Sequence, residues 1–317
     1  MTLPLDGILV ADFSRVLAGP LASATLADLG ARVIKVERPG RGDDTRSWGP
    51  PWTGNSASYF ESANRNKESI VLDLGESADN DLARELARRA DVVIENFLPG
   101  TLDRFGLGYD QVRESNPGVV YCSVTGFGSG GGAHLPGYDF LVQAVGGLMS
   151  ITGDPDESGG SPMKVGVALV DVLTSKDATT GILAALHARN RTGRGQRVEV
   201  NLLSSLLASL VNQASAYLTT GTAPGRMGNA HPSIAPYELL PCADGPLVIA
   251  CGNDGQFRTL AAALGNESLA DDDRFATNAA RVHHRPALRT ELGDLLERST
   301  VAEWVDRLTA VGVAAGR

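Results

Sequence analysis

The chain has 317 residues, enough for about two domains and a sizeable buried core. Its 28 Lys and Arg residues against 37 Asp and Glu residues give a formal net charge of −9. No local basic patch offsets this charge, so we expect neither nucleic acid nor an anionic membrane as a partner. Charged residues make up 21% and hydrophobic residues 43%, as in ordinary globular proteins, which excludes a disordered or fibrous chain.

The cysteines and the N-terminus indicate the cellular compartment. Cys122, Cys242 and Cys251 are an odd number without C-x-x-C spacing, and no Cys/His cluster has the spacing of zinc ligands. We therefore expect reduced, mostly buried thiols and no metal site. The first residues lack the positive charge and long apolar run of a signal peptide, and no apolar stretch of about 18 residues could span a bilayer. A soluble cytoplasmic protein is the expectation.

Short apolar runs alternate with helical patterns in the first part of the chain. In chain order the pattern predicts a strand at 8–13, a helix at 21–29, strands at 32–36 and 69–74, a helix at 79–90, and a strand at 91–95. Because strands alternate with helices, we expect an α/β fold with a Rossmann-like parallel sheet and helices on both faces.

The same pattern continues to about residue 220. It predicts a strand at 119–124, a glycine-dense loop at 126–132, a helix at 138–149, an acidic flexible loop at 152–162, a long helix at 170–189, a strand at 197–200, and one more long helix to about residue 218. A Pro/Gly/Asn-rich stretch follows, then a hairpin at 237–250 and short helices. The predicted organisation is a large domain at 1–220, a linker at 221–236 and a smaller α+β domain at 237–317.

The turn after the first strand is the first candidate site. Glu37 ends the second strand where a ribose-binding acid would lie, but residues 12–20 contain one glycine where a dinucleotide fingerprint needs three, which disfavours NAD(P). Arg15 and Arg38 beside a helix N-terminus would suit a phosphate. The alternative is a surface loop with solvated arginines.

The segment at 95–100 lies at the carboxyl end of a predicted strand, where ligands of open α/β sheets bind. It combines the amide of Asn96 with the aromatic ring of Phe97, and Arg104 follows within reach. An adenine could stack on such a ring. The alternative is an ordinary strand-to-helix turn in which Asn96 caps the helix.

Asp171 is the sharpest local signal, because apolar residues flank this carboxylate on both sides. A buried Asp is rare unless it is paired. An ionised carboxylate can attack an activated acyl carbon as a nucleophile. The alternatives are an N-cap of the following helix or a buried, hydrogen-bonded Asp without chemistry. The histidines lie in separate segments and no G-x-S-x-G motif occurs, so a serine or thiol hydrolase has no support.

Several short motifs together resemble the class III CoA-transferase family, which includes formyl-CoA transferase, carnitine CoA-transferase and α-methylacyl-CoA racemase. The resemblance covers nearly the whole chain, and the order and spacing of the motifs make it specific. The motifs are LDG at 5–7, RVLAGP at 15–20, ADLGARVIKVE at 27–37, RPG at 38–40, GDDTR at 42–46, ENF at 95–97 with PG at 99–100, PGYD at 136–139, GLMS at 147–150 and GNAHP at 228–232.

The resemblance implies a site and a mechanism. Asp171 falls at the family's catalytic aspartate, and Gly252 and Gly255 fall in a glycine-rich loop that covers the intermediates. The implied reaction moves CoA from an acyl-CoA to a small carboxylic acid through an aspartyl anhydride and an aspartyl-CoA thioester, with CoA as substrate and no permanently bound cofactor. Family members form interlocked, ring-like homodimers. The positions implied to hold CoA are Leu17, Ala18, Arg38, Leu72, Asn96, Phe97, Arg104, Tyr138 and Asp139.

Two sequence features bear on the exact activity. Racemases of the family resemble Gly-His-Asp where this chain has Tyr138, and a phenol is a poor base at neutral pH, which favours a transferase. Relatives also continue beyond the position of Arg317 with a segment that returns to the first domain. We therefore predict a CoA-transferase. The alternatives are a racemase-like enzyme and an inactive, truncated remnant that binds CoA.

Overall fold

A computed structural model describes residues 2–317, which divide into two compact units. The first unit runs to Met149 and resumes over Lys164–Pro224; the second comprises Ser150–Met163 and Gly225–Arg317. The acidic loop that sequence analysis placed in the large domain therefore groups with the second unit. Within that unit the Arg226 side chain donates to the carbonyl of Asp154, and the Gly228 N–H donates to the carbonyl of Gly153, 3.0 Å in each case.

A parallel sheet forms the centre of the first unit. The strands of this unit are β1 (Leu9–Asp12), β2 (Arg32–Glu37), β3 (Trp52–Thr53), β4 (Ser56–Ala57), β5 (Lys67–Val71), β6 (Val92–Glu95), β7 (Val120–Thr125) and β8 (Arg197–Asn201). Within residues 2–317 the main sheet has six strands in the order β5-β2-β1-β6-β7-β8, each parallel to its neighbours, while β3 and β4 form a short antiparallel pair. The predicted Rossmann-like parallel sheet is confirmed.

Helices cover both faces of the sheet because its central strands are apolar on both sides. Val10 and Ala11 are adjacent in β1 and fully buried, yet they belong to different cores on opposite faces. The helices of this unit are α1 (Ala18–Asp28), α2 (Ser58–Asn64), α3 (Ser77–Arg89), α4 (Tyr109–Ser115), α5 (Asp139–Val145), α6 (Leu169–Thr192), α7 (Leu202–Ser209) and α8 (Val211–Thr220). One core includes residues of α1, α5, α6 and α7; the other includes residues of α3 and α4.

Two predicted helices are wrong in their extent. The helix predicted at 138–149 ends earlier, where α5 meets Gly146 and Gly147, the latter at φ = +86°. The single long helix predicted to about residue 218 is two helices, because Val211 adopts φ = +36°, which a continuous right-handed helix does not allow. The long helix predicted at 170–189 is confirmed as α6.

The second unit has its own sheet and core. Its strands are β9 (Tyr237–Cys242), β10 (Gly245–Ala250) and β11 (Ala314–Gly316), and its helices are α9 (Asp254–Ala263), α10 (Asn278–His283), α11 (Arg285–Leu296) and α12 (Val301–Ala310). β10 pairs antiparallel with both β9 and β11, so the predicted hairpin is confirmed. Cys242 and Cys251 are buried here as free thiols, and Cys122 is a buried free thiol in β7 of the first unit.

The described residues were compared with the requirements of a membrane-spanning helix and of a metal site, and they meet neither. Among residues 2–317, no helix combines the length and the apolar character that crossing a bilayer requires. The same part of the chain contains no group of three or more His, Cys, Asp or Glu side chains arranged to hold a metal ion.

Candidate active site

The strand order creates a crevice between the ends of β1 and β6. The chain moves outward from β1 in one direction through β2 and β5, and in the other through β6, β7 and β8. In open α/β sheets, ligands bind at the carboxyl ends of the strands at this reversal point. The segments that follow β1 and β6 carry Arg15, Asn96 and Phe97, so the topology brings two separately predicted sites together.

The side-chain amide of Asn96 joins the two segments. Its Oδ1 accepts the N–H of Arg15 at 2.8 Å, and its Nδ2 donates to the carbonyl of Arg15 at 2.7 Å. The Arg15 guanidinium lies over the Phe97 ring, with 4.6 Å between the guanidinium carbon and the ring centroid. Asn96 therefore clamps the β1–α1 turn, and the alternative in which it caps a helix is wrong.

Two cavities lie on either side of this clamped turn. The smaller, of about 220 Å³, is lined by Arg38, Leu72 and Phe105, with Arg15 and Phe97. The larger, of about 360 Å³, brings together Leu17, Ala18, Asn96, Tyr138, Asp139 and Asp171, again with Arg15 and Phe97. Arg15 and Phe97 thus form a wall common to both cavities. The Arg15 Nε is buried and has no hydrogen-bond partner within residues 2–317.

Three predicted site residues line neither of these two cavities. Arg104 is exposed in a single turn of 3-10 helix, Leu102–Phe105, although the neighbouring Phe105 lines the smaller cavity. Gly252 and Gly255 belong to the second unit, at the start of α9. There the Gly252 N–H donates to Gln256 Oε1 at 2.7 Å, and Asn253 caps the helix.

Asp171 is the third residue of α6, which begins at Leu169, so the N-cap alternative is wrong. Asp139 takes the capping role instead: its Oδ1 accepts the N–H of Val170 at 2.7 Å and that of Asp171 at 3.3 Å. Gln143 fixes Asp139 by donating from Nε2 to Oδ2 at 2.6 Å. The carboxylate of Asp171 is thereby left to face the larger cavity.

The surroundings of Asp171 disfavour its ionised form. Burial, and second the charge of Asp139, raise its pKa to about 7. Both causes oppose the ionised carboxylate, so its burial has a cost in stability. A carboxylate poised to ionise near neutral pH inside a cavity is a candidate reactive group rather than a structural one.

Sequence reasoning missed two side chains near Asp171. Tyr59 of α2 has its pKa raised to about 12 by burial and by the charges of Asp171, Asp139 and Asp43, and its ring packs edge-on against Trp48 at 5.2 Å. His134 lines the larger cavity. Tyr59 belongs to a helix of only seven residues and His134 to a turn, and segments this short carry no hydrophobic periodicity that would have placed either side chain.

Close contact between two glycines holds one wall of the larger cavity. A Cβ added at Gly137 would lie 2.6 Å from the Cα of Gly126, which no ordinary packing allows. Gly137→Ala should therefore force the two loops apart, move Asp139 off the start of α6, and cost about 1 to 2 kcal/mol of unfolding free energy. Urea unfolding measures this effect. Gly131→Ala is the matched control, because a Cβ there meets nothing within 4 Å; equal losses for both variants would contradict the assignment.

The fold and this site define an α/β enzyme with a Rossmann-like sheet, two adjoining cavities at its switch point and a carboxylate in the larger one. The sequence profile of CoA-transferase family III matches residues 5–317, and the chain belongs to this family.

Named relatives and a solved structure agree with this membership. The chain is 51% identical over 293 residues to a succinate–glutarate CoA-transferase of Agrobacterium fabrum, covering 90% of this chain and 72% of the relative. It is 43% identical over 315 residues to an acetyl-CoA:oxalate CoA-transferase of Acetobacter aceti, covering 99% and 80%. The crystal structure of a CAIB/BAIF family protein from Brucella suis matches with a TM-score of 0.87 and 47% identity, over 100% of this chain and 84% of that one.

Proposed function

We propose that this chain transfers CoA from a short acyl-CoA to a dicarboxylic acid, with Asp171 as the nucleophile. The observation that carries the proposal is the Asp171 carboxylate, which faces a 360 Å³ cavity and ionises near neutral pH. The relatives support the substrate class, since their names combine succinate with glutarate and acetyl-CoA with oxalate.

The two cavities suit the two ends of an acyl-CoA. In the proposed mode, Arg15 and Arg38 bind phosphates at the smaller cavity, while Leu72 and Phe97 supply apolar surface for the adenine. The pantetheine arm then crosses the common wall and brings the thioester to Asp171. Leu17, Ala18, Asn96, Tyr138 and Asp139 line that path.

The chemistry divides one exchange into covalent steps. Asp171 Oδ attacks the thioester carbonyl, the C–S bond breaks, and an aspartyl acyl anhydride and the CoA thiolate form. The thiolate attacks the aspartyl carbonyl, which releases the donor carboxylate and leaves an aspartyl-CoA thioester. The acceptor carboxylate displaces the thiolate again, and the thiolate finally attacks the acceptor's acyl carbon, which releases the new acyl-CoA and free Asp171.

The start of α1 suits the stabilisation of the negative charge formed in these steps. Leu17 and Ala18 line the same cavity as Asp171, and α1 begins at Ala18. First-turn N–H groups of a helix have no acceptor within the helix and carry its positive partial charge. Such donors near a developing oxyanion are typically a major contribution to catalysis.

We further propose that the chain forms a homodimer. Helix α8 contains no buried residue, and its Val211 and Leu218 are 70% and 82% exposed; Val145 at the end of α5 is 60% exposed. Large apolar side chains that are exposed on one helix, as Val211 and Leu218 are on α8, are typical of a protein interface. Sedimentation equilibrium decides the matter: twice the monomer mass supports the dimer, and a monomer at micromolar concentration contradicts it.

A transfer assay tests the proposed function. The protein is incubated with succinyl-CoA and either glutarate or oxalate, and the new CoA ester is identified by mass. Formation of glutaryl-CoA or oxalyl-CoA supports the proposal. CoA binding without any transfer would favour an inactive binding protein. Because His134 lines the cavity, a 2-methylacyl-CoA is also incubated in D₂O; deuterium at the α-carbon without CoA transfer would favour a racemase.

A further inference from the structure

The β1–α1 turn contains a residue in an unfavourable backbone conformation. Val16 adopts φ = +70°, in the left-handed region, and its side chain is β-branched. Such a conformation costs about 1–3 kcal/mol and persists only where the surroundings enforce it. The neighbours of Val16 form the common wall of the two cavities, so the strain lies at the proposed site.

A buried carboxylate holds Val16 in this conformation. The Val16 N–H donates to Asp43 Oδ2 at 3.2 Å, and Lys35 Nζ lies 3.0 Å from the same oxygen. Lys35 also donates to the carbonyl of Ser14 at 2.9 Å. Lys35 and Asp43 are 1% and 2% exposed, so one ion pair binds the turn on both sides of Arg15 without screening by solvent.

Asp43 is itself fixed from the other side. Its N–H donates to Glu37 Oε2 at 2.9 Å, and Arg46 holds Glu37 through two hydrogen bonds of 2.6 and 2.7 Å. Thr45 donates to Asp43 Oδ1 from its hydroxyl at 2.7 Å. These contacts fix the position of the Asp43 carboxylate independently of Val16. The β1–α1 turn therefore has to adopt the conformation that keeps the Val16 N–H within hydrogen-bonding distance of it.

The pair connects the two cavities through the turn. Lys35 and Asp43 line the smaller cavity, whereas Val16, Leu17 and Ala18 line the larger one with Asp171. Rotation of Val16 to an ordinary φ would redirect the chain where α1 begins. A displacement of about 1 Å at a reacting centre is enough to cost about 100-fold in rate.

We propose that the buried Lys35–Asp43 pair is a positioning device for CoA transfer: it holds Val16 in the left-handed conformation and thereby directs the start of α1 toward Asp171. This inference rests on the proposed function. Lys35 and Asp43 act through the turn and are positioning residues. Asp43, the first Asp of the GDDTR segment at 42–46, thus has a role in the reaction.

Asp43→Asn tests the proposal. The amide can still accept from Thr45, but its Nδ2 then faces the Val16 N–H and Lys35 Nζ, where donor meets donor. We expect kcat for transfer from succinyl-CoA to glutarate to fall about 10- to 100-fold. Hydrogen exchange of the Val16 amide, followed by mass spectrometry, should become at least about tenfold faster, because a donor replaces its nearer acceptor, Oδ2, and only the longer contact to Oδ1 at 3.4 Å is left.

Thr45→Val is the matched control. It removes one buried hydrogen bond to the same carboxylate but leaves the contacts of Asp43 with Val16 and Lys35 in place. We expect a lower Tm with kcat within about threefold of the wild type and a slowly exchanging Val16 amide. Equal losses of kcat in the two variants would show that Asp43 serves stability alone and would overturn the proposal.

A second variant and the exchange measurement separate the possible failures. Glycine adopts φ = +70° without strain, so adding Val16→Gly to Asp43→Asn should recover part of kcat and of folded yield; no recovery would count against the proposal. If wild-type protein transfers no CoA, the proposed function fails, and unchanged Val16 exchange in Asp43→Asn would independently reject the positioning role.

Discussion

Asp171→Asn should reduce CoA transfer by at least about 10⁴-fold while leaving the affinity for CoA within about threefold. An amide of the same shape cannot attack a thioester, so every covalent step is lost. The groups proposed to bind CoA, including Arg15 and Arg38, are untouched by the change. A large fall in kcat with little change in binding is the result that separates a nucleophile from a binding group.

Intact-protein mass spectrometry makes this prediction specific. Wild type incubated with succinyl-CoA should carry an acyl or CoA adduct that hydroxylamine removes, and Asp171→Asn should never form it. Asp177→Asn is the matched control, because Asp177 lies on the same helix but accepts a hydrogen bond from Ser205 at 2.6 Å and lines neither site cavity. An adduct that persists in Asp171→Asn would place the nucleophile elsewhere.

The same substitution should make the protein more stable above neutral pH. Burial and the Asp139 charge raise the pKa of Asp171 from its ordinary 3.8 to about 7 in the folded state. As the pH rises, the unfolded chain therefore releases this proton before the folded chain does, and ionisation favours unfolding. The stability associated with this carboxyl group is complete below about pH 4 and is lost progressively up to about pH 7.

Asn at this position has no charge to bury, so its advantage over Asp should grow across that pH window. The full pKa difference would correspond to about 4 kcal/mol, of which about 2.6 kcal/mol falls between pH 5 and pH 8; because the carboxyl group is only partly buried, we expect the gain to increase by about 1 to 2 kcal/mol over that range. Urea unfolding of both proteins at the two pH values measures the gain. A constant difference would mean that Asp171 ionises normally in the folded protein.

Together the two predictions describe one residue that costs stability in order to be reactive. A largely buried carboxylate close to a second carboxylate is poorly stabilised in its ionised form in the free enzyme. Such sites commonly gain stability when their function is removed. Loss of turnover together with a stability gain that depends on pH would be difficult to explain by any purely structural role for Asp171.

The amino-acid sequence was sufficient to predict the sheet and the family. Apolar runs such as 8–13 and 91–95 are buried on both faces, and that requirement follows directly from residue type. Family membership rested on motifs in a fixed order, and the family profile confirms it. The helix predicted to about residue 218 was too long because valine gives no sequence signal for a break. Only packing decides that Val211 takes a positive φ and divides the segment into α7 and α8.

The individual candidate residues were also visible in the sequence, since an Asp among apolar residues or an aromatic ring after a strand is locally unusual. Their grouping into one site was not visible in the sequence. Asn96 clamps Arg15 across 81 positions of sequence, and Asp43 reaches Val16 across 27, so these contacts depend on strand order rather than on any local pattern. What the sequence determined by itself is the set of burial preferences that fold the sheet. Which side chains meet at its carboxyl edge, and what that does to the pKa of Asp171, only the tertiary structure decided, because hydrogen bonding and desolvation depend on distances in space.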